Sequence, residues 1–224
     1  MTVDPIWTAV DTPEGEARVG VHLPDSPPRG TLILGHGAGG GLGSWPRDLQ
    51  SARTATDHGW AVVLVEQPWR VAGRKVATRP PTLDTAWRAV VPAVFRDPLP
   101  RPLVVGGRSA GARVACRTSP GDPEGRMPRA DAVLCLAFPL HPPGRPDRSR
   151  VAELTVPVAL GIPTLVVQGS ADPFGSPTEL REAVAAEFPG GASPEVVEVP
   201  GSHSPSRDQP LVTRTILGWL DRLG

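Results

Sequence analysis

The chain has no tyrosine and no asparagine, a single lysine (Lys75), two cysteines and no net charge over 224 residues. Each shortage excludes something. A formal charge of +0 and an isoelectric point of about 7.0 leave no electropositive field for nucleic acid or for an anionic membrane surface. No apolar run approaches the ~18 residues of a membrane span. The opening Met1–Trp7 has neither the basic nor the apolar region of a secretory leader, so neither insertion nor export is expected. Cys116 and Cys135 lack metal-ligand spacing. They fit reduced core thiols of a cytoplasmic protein, or one bridge, and no metal is expected. Arginine stands where lysine is scarce, a compositional skew that argues against reading every Arg cluster as a binding site.

What is abundant is glycine and proline, 25 and 29 residues, a level at which disorder has to be considered. The apolar segments are nonetheless well formed and evenly spaced, so these residues are read as loop punctuation within one domain over 1–224. Alternation over Ile6–Val10 and Arg18–Leu23 predicts an N-terminal antiparallel hairpin. Strands are then expected at Thr31–Leu34, Trp60–Val65, Leu103–Gly106, Ala132–Ala137, Thr164–Gln168 and Glu195–Val199. Helices are expected near Arg47–His58 and at Thr82–Phe95, Ala110–Arg117, Thr178–Glu187 and Pro210–Leu223. Strands alternating with helices imply an α/β domain with a mostly parallel central sheet covered on both faces, as the continuous apolar runs require. Leu140–Gly161 has room for a short helix around Arg150–Leu154 and not for a large lid domain.

Leu103–Arg113 carries the chemistry. An apolar run ends in Gly107-Arg108-Ser109-Ala110-Gly111 and continues into small, helix-compatible residues. This Gly-x-Ser-x-Gly, placed between a strand and a helix, is the form of a nucleophile elbow. Gly107 and Gly111 stand where a Cβ would collide with neighbouring backbone. A serine hydroxyl needs a general base, itself oriented by a carboxylate. Of the five histidines, His203 lies in a polar loop between the last strand and the last helix, the place for the base in the chain order Ser…Asp…His. His22, His36, His58 and His141 are its competitors, and His36 can brace the Gly-rich loop that follows it. Asp172, just past the strand Thr164–Gln168, is the candidate acid. Asp147 competes with it, and Asp172 can alternatively cap the turn or helix beyond. In His36–Gly41, the Ala38 N–H is a candidate oxyanion donor, paired with the N–H of Ala110. As a dinucleotide loop the segment fails, since no helix-opening third glycine and ribose-binding acid follow in register. Glu66–Lys75 follows a strand at the same sheet edge. Trp69, Arg70 and Arg74 there, with Lys75 and with His141 on another loop, are candidates for substrate contact. A loop merely pinned by stacking and ion pairs is the alternative.

His36-Gly37-Ala38-Gly39-Gly40, Gly106–Gly111, Pro139-Leu140-His141-Pro142-Pro143-Gly144 and Gln168-Gly169-Ser170-Ala171-Asp172 together resemble the α/β-hydrolases. More narrowly, they are similar to a small family that includes testis-expressed and non-specific-lethal-complex proteins and is related to dienelactone hydrolases. The resemblance runs from about Thr31 to Leu223. It implies the α/β-hydrolase fold and a Ser109–His203–Asp172 triad, without supplying a substrate. Dienelactone hydrolases use cysteine where Ser109 stands, so their substrate is not carried over. The expectation is a serine hydrolase acting on a small-molecule carboxylic ester or related acyl bond, without cofactor. Two alternatives stay open: the same triad acting on thioesters or peptides, and a non-catalytic interaction module of this fold. The oligomeric state is not read from the sequence.

Overall fold

The computed structural model describes residues 6–39, 47–95, 99–204 and 207–223. Gly40 and Gly41 of the Gly-rich loop lie outside the described residues, as does Trp45, which with Trp69, Phe138 and Phe174 is one of the large apolar side chains that the sequence offers for a pocket near the sheet edge. The elements in chain order are β1 (Ile6–Thr12), β2 (Gly15–His22), β3 (Gly30–Gly35), α1 (Arg47–Arg53) with a 3₁₀ turn at Thr54–His58, β4 (Trp60–Glu66), α2 (Pro68–Val71), α3 (Pro80–Val94), β5 (Leu103–Arg108), α4 (Ala110–Thr118), β6 (Ala132–Leu136), α5 (Val151–Ala159), β7 (Thr164–Gly169), α6 (Pro177–Glu187), β8 (Glu195–Val199) and α7 (Gln209–Leu220).

One eight-stranded sheet runs β1-β2-β4-β3-β5-β6-β7-β8. β1 and β2 form the expected antiparallel hairpin, and β2 joins β4 antiparallel; every other pairing is parallel. The central strands are buried on both faces, and the two-residue alternation sorts their side chains into two cores. Ile33, Val63, Val65, Val105 and Val166 face one layer, where they meet Trp87 of α3, Val114 of α4, Leu154 of α5 and Leu180 of α6. Leu32, Leu34, Val62, Leu64, Val104 and Leu165 face the other, against Leu49 of α1 and Ile216 and Trp219 of α7. This is the α/β-hydrolase fold. Among the described residues, no helix is long and apolar enough to cross a membrane.

Three local expectations are corrected. The helix expected near Arg150–Leu154 runs from Val151 to Ala159 with Pro157 inside it. Leu154 and Val158 are buried on a helix that packs against α4 and α6, and that packing outweighs the lost proline N–H. The short α2 after β4 was not foreseen; Pro68 at its start presets the helical φ for a single turn. Phe138, considered for a pocket wall, is fully buried in the core. Cys116 of α4 and Cys135 of β6 are both buried free thiols, 3.5 Å apart. Burial and the neighbouring Cys135 push the Cys116 thiol well above its ordinary pKa.

Candidate active site

The parallel strands end together at one edge of the sheet, and the connections leaving β3, β4, β5, β7 and β8 bring the candidate residues there. β5 ends in Arg108 and α4 begins at Ala110, leaving Ser109 alone in the turn with φ 53° and ψ −109°. A non-glycine residue in that region is strained by roughly 1–3 kcal/mol and persists only where its surroundings over-determine it. Here they do. The Ser109 N–H donates to the Leu136 carbonyl at 3.0 Å. A Cβ on Gly107 or on Gly111 would stand 2.3 Å from the Gly35 carbonyl oxygen, so only glycines let the turn close against β3. Ala137, which follows β6, also has positive φ (55°) and is held by its N–H to the Val167 carbonyl at 2.9 Å.

Ser109, His203 and Asp172 form a continuous hydrogen-bonded chain. Ser109 Oγ lies 2.8 Å from His203 Nε2, and His203 Nδ1 lies 2.8 Å from Asp172 Oδ2 and 3.1 Å from Oδ1. An ionised carboxylate has no proton to give, so Nδ1–H donates to it and Nε2 is left to accept from the serine. The Asp172 side chain is fully buried, whereas His203 keeps 16% of its side chain exposed. Asp172 Oδ1 accepts the Phe174 N–H at 2.9 Å and Oδ2 accepts Gln168 Nε2 at 2.8 Å. The Phe174 ring lies against the imidazole, centroids 4.1 Å apart. The His203 loop is bound to the Asp172 loop through Ala171 N–H to the Gly201 carbonyl at 2.8 Å. Such a chain can take the serine proton onto the imidazole and stabilise the resulting cation.

On the other side of Ser109 lies the loop after β3. His36 is buried; its Nε2 accepts the Gln67 N–H at 3.0 Å, so its Nδ1–H donates to the Gly37 carbonyl at 2.8 Å. Burial, helped by the nearby Arg70 charge, lowers its pKa to about 4, which keeps this tautomer neutral. In a trans peptide the N–H points opposite to the carbonyl, so fixing the Gly37 C=O also fixes the direction of the Ala38 N–H. The N–H groups of Ala38 and of Ala110, at the N-terminus of α4, have no main-chain acceptor among the described residues. Beside the Ala110 N–H opens a small, shallow cleft lined in part by Gly37, Ala110, Gln67, Trp69, Ala77 and Trp87.

The remaining sequence candidates are placed as follows. Trp69 lines that cleft and stacks obliquely on His36, with centroids 5.4 Å apart. Arg70 is buried with its Nε 3.4 Å from the Glu66 carboxylate. Arg74 and Lys75 are exposed on the α2–α3 connection. His141 is buried, its Nδ1 2.9 Å from the Pro142 carbonyl and its Nε2 3.5 Å from Glu179. Asp147 is at the surface, paired with Arg145 at 3.0 Å. Sequence reasoning offers Phe174 only as an apolar side chain near the sheet edge, not as a partner of the His203 ring, and it identifies neither a role for Gln168 nor a placement for the elbow arginine. Gln168 sits inside a motif already quoted, and its polarity at the end of an apolar strand was the available signal. Among the described residues, no cluster of His, Cys, Asp or Glu could hold a metal ion.

Several solved structures share this fold. The chain is similar to an α/β serine hydrolase homologue from Coxiella burnetii (TM-score 0.75, 15% identity, covering 98% of this chain and 99% of that one). It is also similar to an α/β serine hydrolase without a lid from Xanthomonas campestris (0.70, 22%, 99% and 96%). A third similar structure is a dienelactone hydrolase from Anabaena variabilis (0.72, 19%, 99% and 98%). No curated protein matches the chain in sequence. A family model described as an alpha/beta hydrolase domain matches residues 28–208, most of the chain. The chain belongs to the α/β-hydrolase domain family.

Proposed function

We propose that the protein is a serine hydrolase that cleaves a carboxylic ester or closely related acyl bond through an acyl-enzyme. The observation that carries this reading is the unbroken Ser109–His203–Asp172 chain, with the serine in a strained turn. Ser109 Oγ attacks the carbonyl while His203 Nε2 takes its proton. Asp172 holds the imidazole in the required tautomer and stabilises its cation. The N–H groups of Ala38 and Ala110 receive the negative charge of the tetrahedral intermediate. His203 then returns the proton to the leaving alkoxide, and water activated by the same imidazole frees the acid. No cofactor is needed for any step.

The small cleft beside the Ala110 N–H favours a short acyl group, with Trp69 and Trp87 among its walls. The narrower kinship with testis-expressed and non-specific-lethal-complex proteins, a cytoplasmic setting and the lack of nucleic-acid and membrane partners belong to the same proposal. The test is labelling by a fluorophosphonate probe together with hydrolysis of p-nitrophenyl acetate, for the wild type and for Ser109→Ala. We expect labelling and turnover in the first and neither in a folded second. Persistent labelling of Ser109→Ala at another serine would overturn the assignment.

A further inference from the structure

Arg108 immediately precedes Ser109 and takes no part in the proton path. It is only 8% exposed at the end of β5. Its Nη2 donates to the main-chain carbonyl of His203 at 3.0 Å, across 95 residues of sequence, and also to Ser204 Oγ. The guanidinium also lies against the loop after β3, since a Cβ on Gly37 would stand 2.9 Å from its Nη1. We propose that Arg108 is a positioning residue: it fixes the β8–α7 loop, and with it the His203 imidazole, against Ser109. The inference rests on reading Ser109 and His203 as nucleophile and base.

The other contacts that steady His203 come from its own side of the sheet. Asp172, Phe174 and the Ala171–Gly201 bond all belong to the β7 and β8 connections. Ser109 directly follows β5, which is separated from β8 by β6 and β7. Arg108 bridges that gap and closes a ring. The ring runs from Ser109 through the Arg108 side chain to the His203 carbonyl, then through the imidazole back to Ser109 Oγ at 2.8 Å. A planar guanidinium offers several donors at fixed angles, so it can satisfy a carbonyl and a hydroxyl together. An ammonium on a flexible stem does not hold that geometry.

The experiment compares Arg108→Ala and Arg108→Lys with the wild type on p-nitrophenyl acetate and ethyl acetate, with and without millimolar guanidinium. Folding is followed by circular dichroism and Ser109 by fluorophosphonate labelling. A misplaced base lowers kcat by about 100-fold with KM little changed. The loss in kcat/KM, which reports acylation, is expected to be larger on ethyl acetate, because ethoxide needs a proton from His203 and p-nitrophenolate does not. Guanidinium ion should recover about tenfold of kcat in Arg108→Ala, the scale of one regained hydrogen bond, and do nothing for the wild type. If the alanine variant does not fold, the leaving-group split in Arg108→Lys carries the test. Wild-type kcat in both variants overturns the inference. So does an equal loss of kcat/KM on both esters without recovery, which marks Arg108 as packing alone. A wild type that neither takes the probe nor cleaves either ester overturns the underlying reading, and this inference with it.

Discussion

Gln168 Nε2 donates to Asp172 Oδ2 at 2.8 Å, from a glutamine fully buried at the end of β7. With the Phe174 N–H on Oδ1 and His203 Nδ1 within reach of both oxygens, three donors converge on one carboxylate. Both oxygens are needed as acceptors, which makes the site intolerant of an amide.

Asp172→Asn therefore sets an NH₂ group against either Gln168 or the Phe174 N–H, whichever way it turns. We expect kcat to fall by about 10⁴-fold, the scale of a triad whose histidine is held in the wrong tautomer. Unfolding free energy should also fall by about 1–3 kcal/mol for the donor left unsatisfied. Asp147→Asn, at the surface beside Arg145, is expected to change neither. Steady-state kinetics and urea unfolding of the two variants check this; the reverse ranking would move the acid to Asp147.

Stability should decline on mild acidification because of His36. Its folded pKa is about 4 against an ordinary 6.5, so between those values the unfolded chain takes up a proton that the folded chain refuses. The stabilisation is fully present above pH 6.5 and is lost as pH falls toward 4, in total about 3 kcal/mol. Denaturant unfolding between pH 4 and 7 should show that slope in the wild type and a flatter one in His36→Gln. Identical slopes would contradict the buried neutral ring.

Two glycine-to-alanine changes should act in opposite directions. In Gly111→Ala the new Cβ would meet the Gly35 carbonyl oxygen at 2.3 Å and carbon at 2.6 Å, so backbone must move where α4 abuts β3. We expect a loss of about 1–3 kcal/mol, as for overpacking, together with lost activity. Gly218, inside α7, has open space around its added Cβ. Gly218→Ala should raise stability by about 0.5–1 kcal/mol through helix propensity, with unchanged kinetics. Thermal melts of both variants decide.

The acyl preference should be for short chains. Each CH₂ contributes about 0.8 kcal/mol only while it is being buried, and the cleft beside Ala110 is small. kcat/KM is expected to peak at acetyl to butyryl esters. A distal carboxylate should add little, since Arg70 is committed to Glu66 and Arg74 and Lys75 are exposed. A maximum beyond about ten carbons would show that apolar surface not lining this cleft takes the acyl chain.

The sequence made the sheet and the Ser109, Asp172 and His203 positions readable because their signals are local. Doubly buried strands such as Val62–Val65 are continuous apolar runs, and an elbow is written in five consecutive residues. Asp172 stood out only because it follows a strand end. The Arg108–His203 contact left no such trace, since it joins residues 95 apart and nothing in the elbow motif says where its arginine side chain goes. The same skew made Arg70 and Arg74 look alike. Their difference depends on Glu66, at the end of β4 and four residues before Arg70. The extent of α5 was obscured by Pro157, whose cost the packing of Leu154 and Val158 offsets.

The exposed α2–α3 connection has a practical consequence for handling the protein. Lys75 is the only lysine in the chain, and it lies two residues before Ala77, which lines the cleft. Amine-directed coupling therefore finds no other lysine in this sequence to react with. A support or dye attached at Lys75 would sit close to the cleft, so immobilisation through amines could lower apparent activity without disturbing the fold. A cysteine introduced on the far surface avoids this, because the two native thiols are buried together and would compete poorly for the reagent.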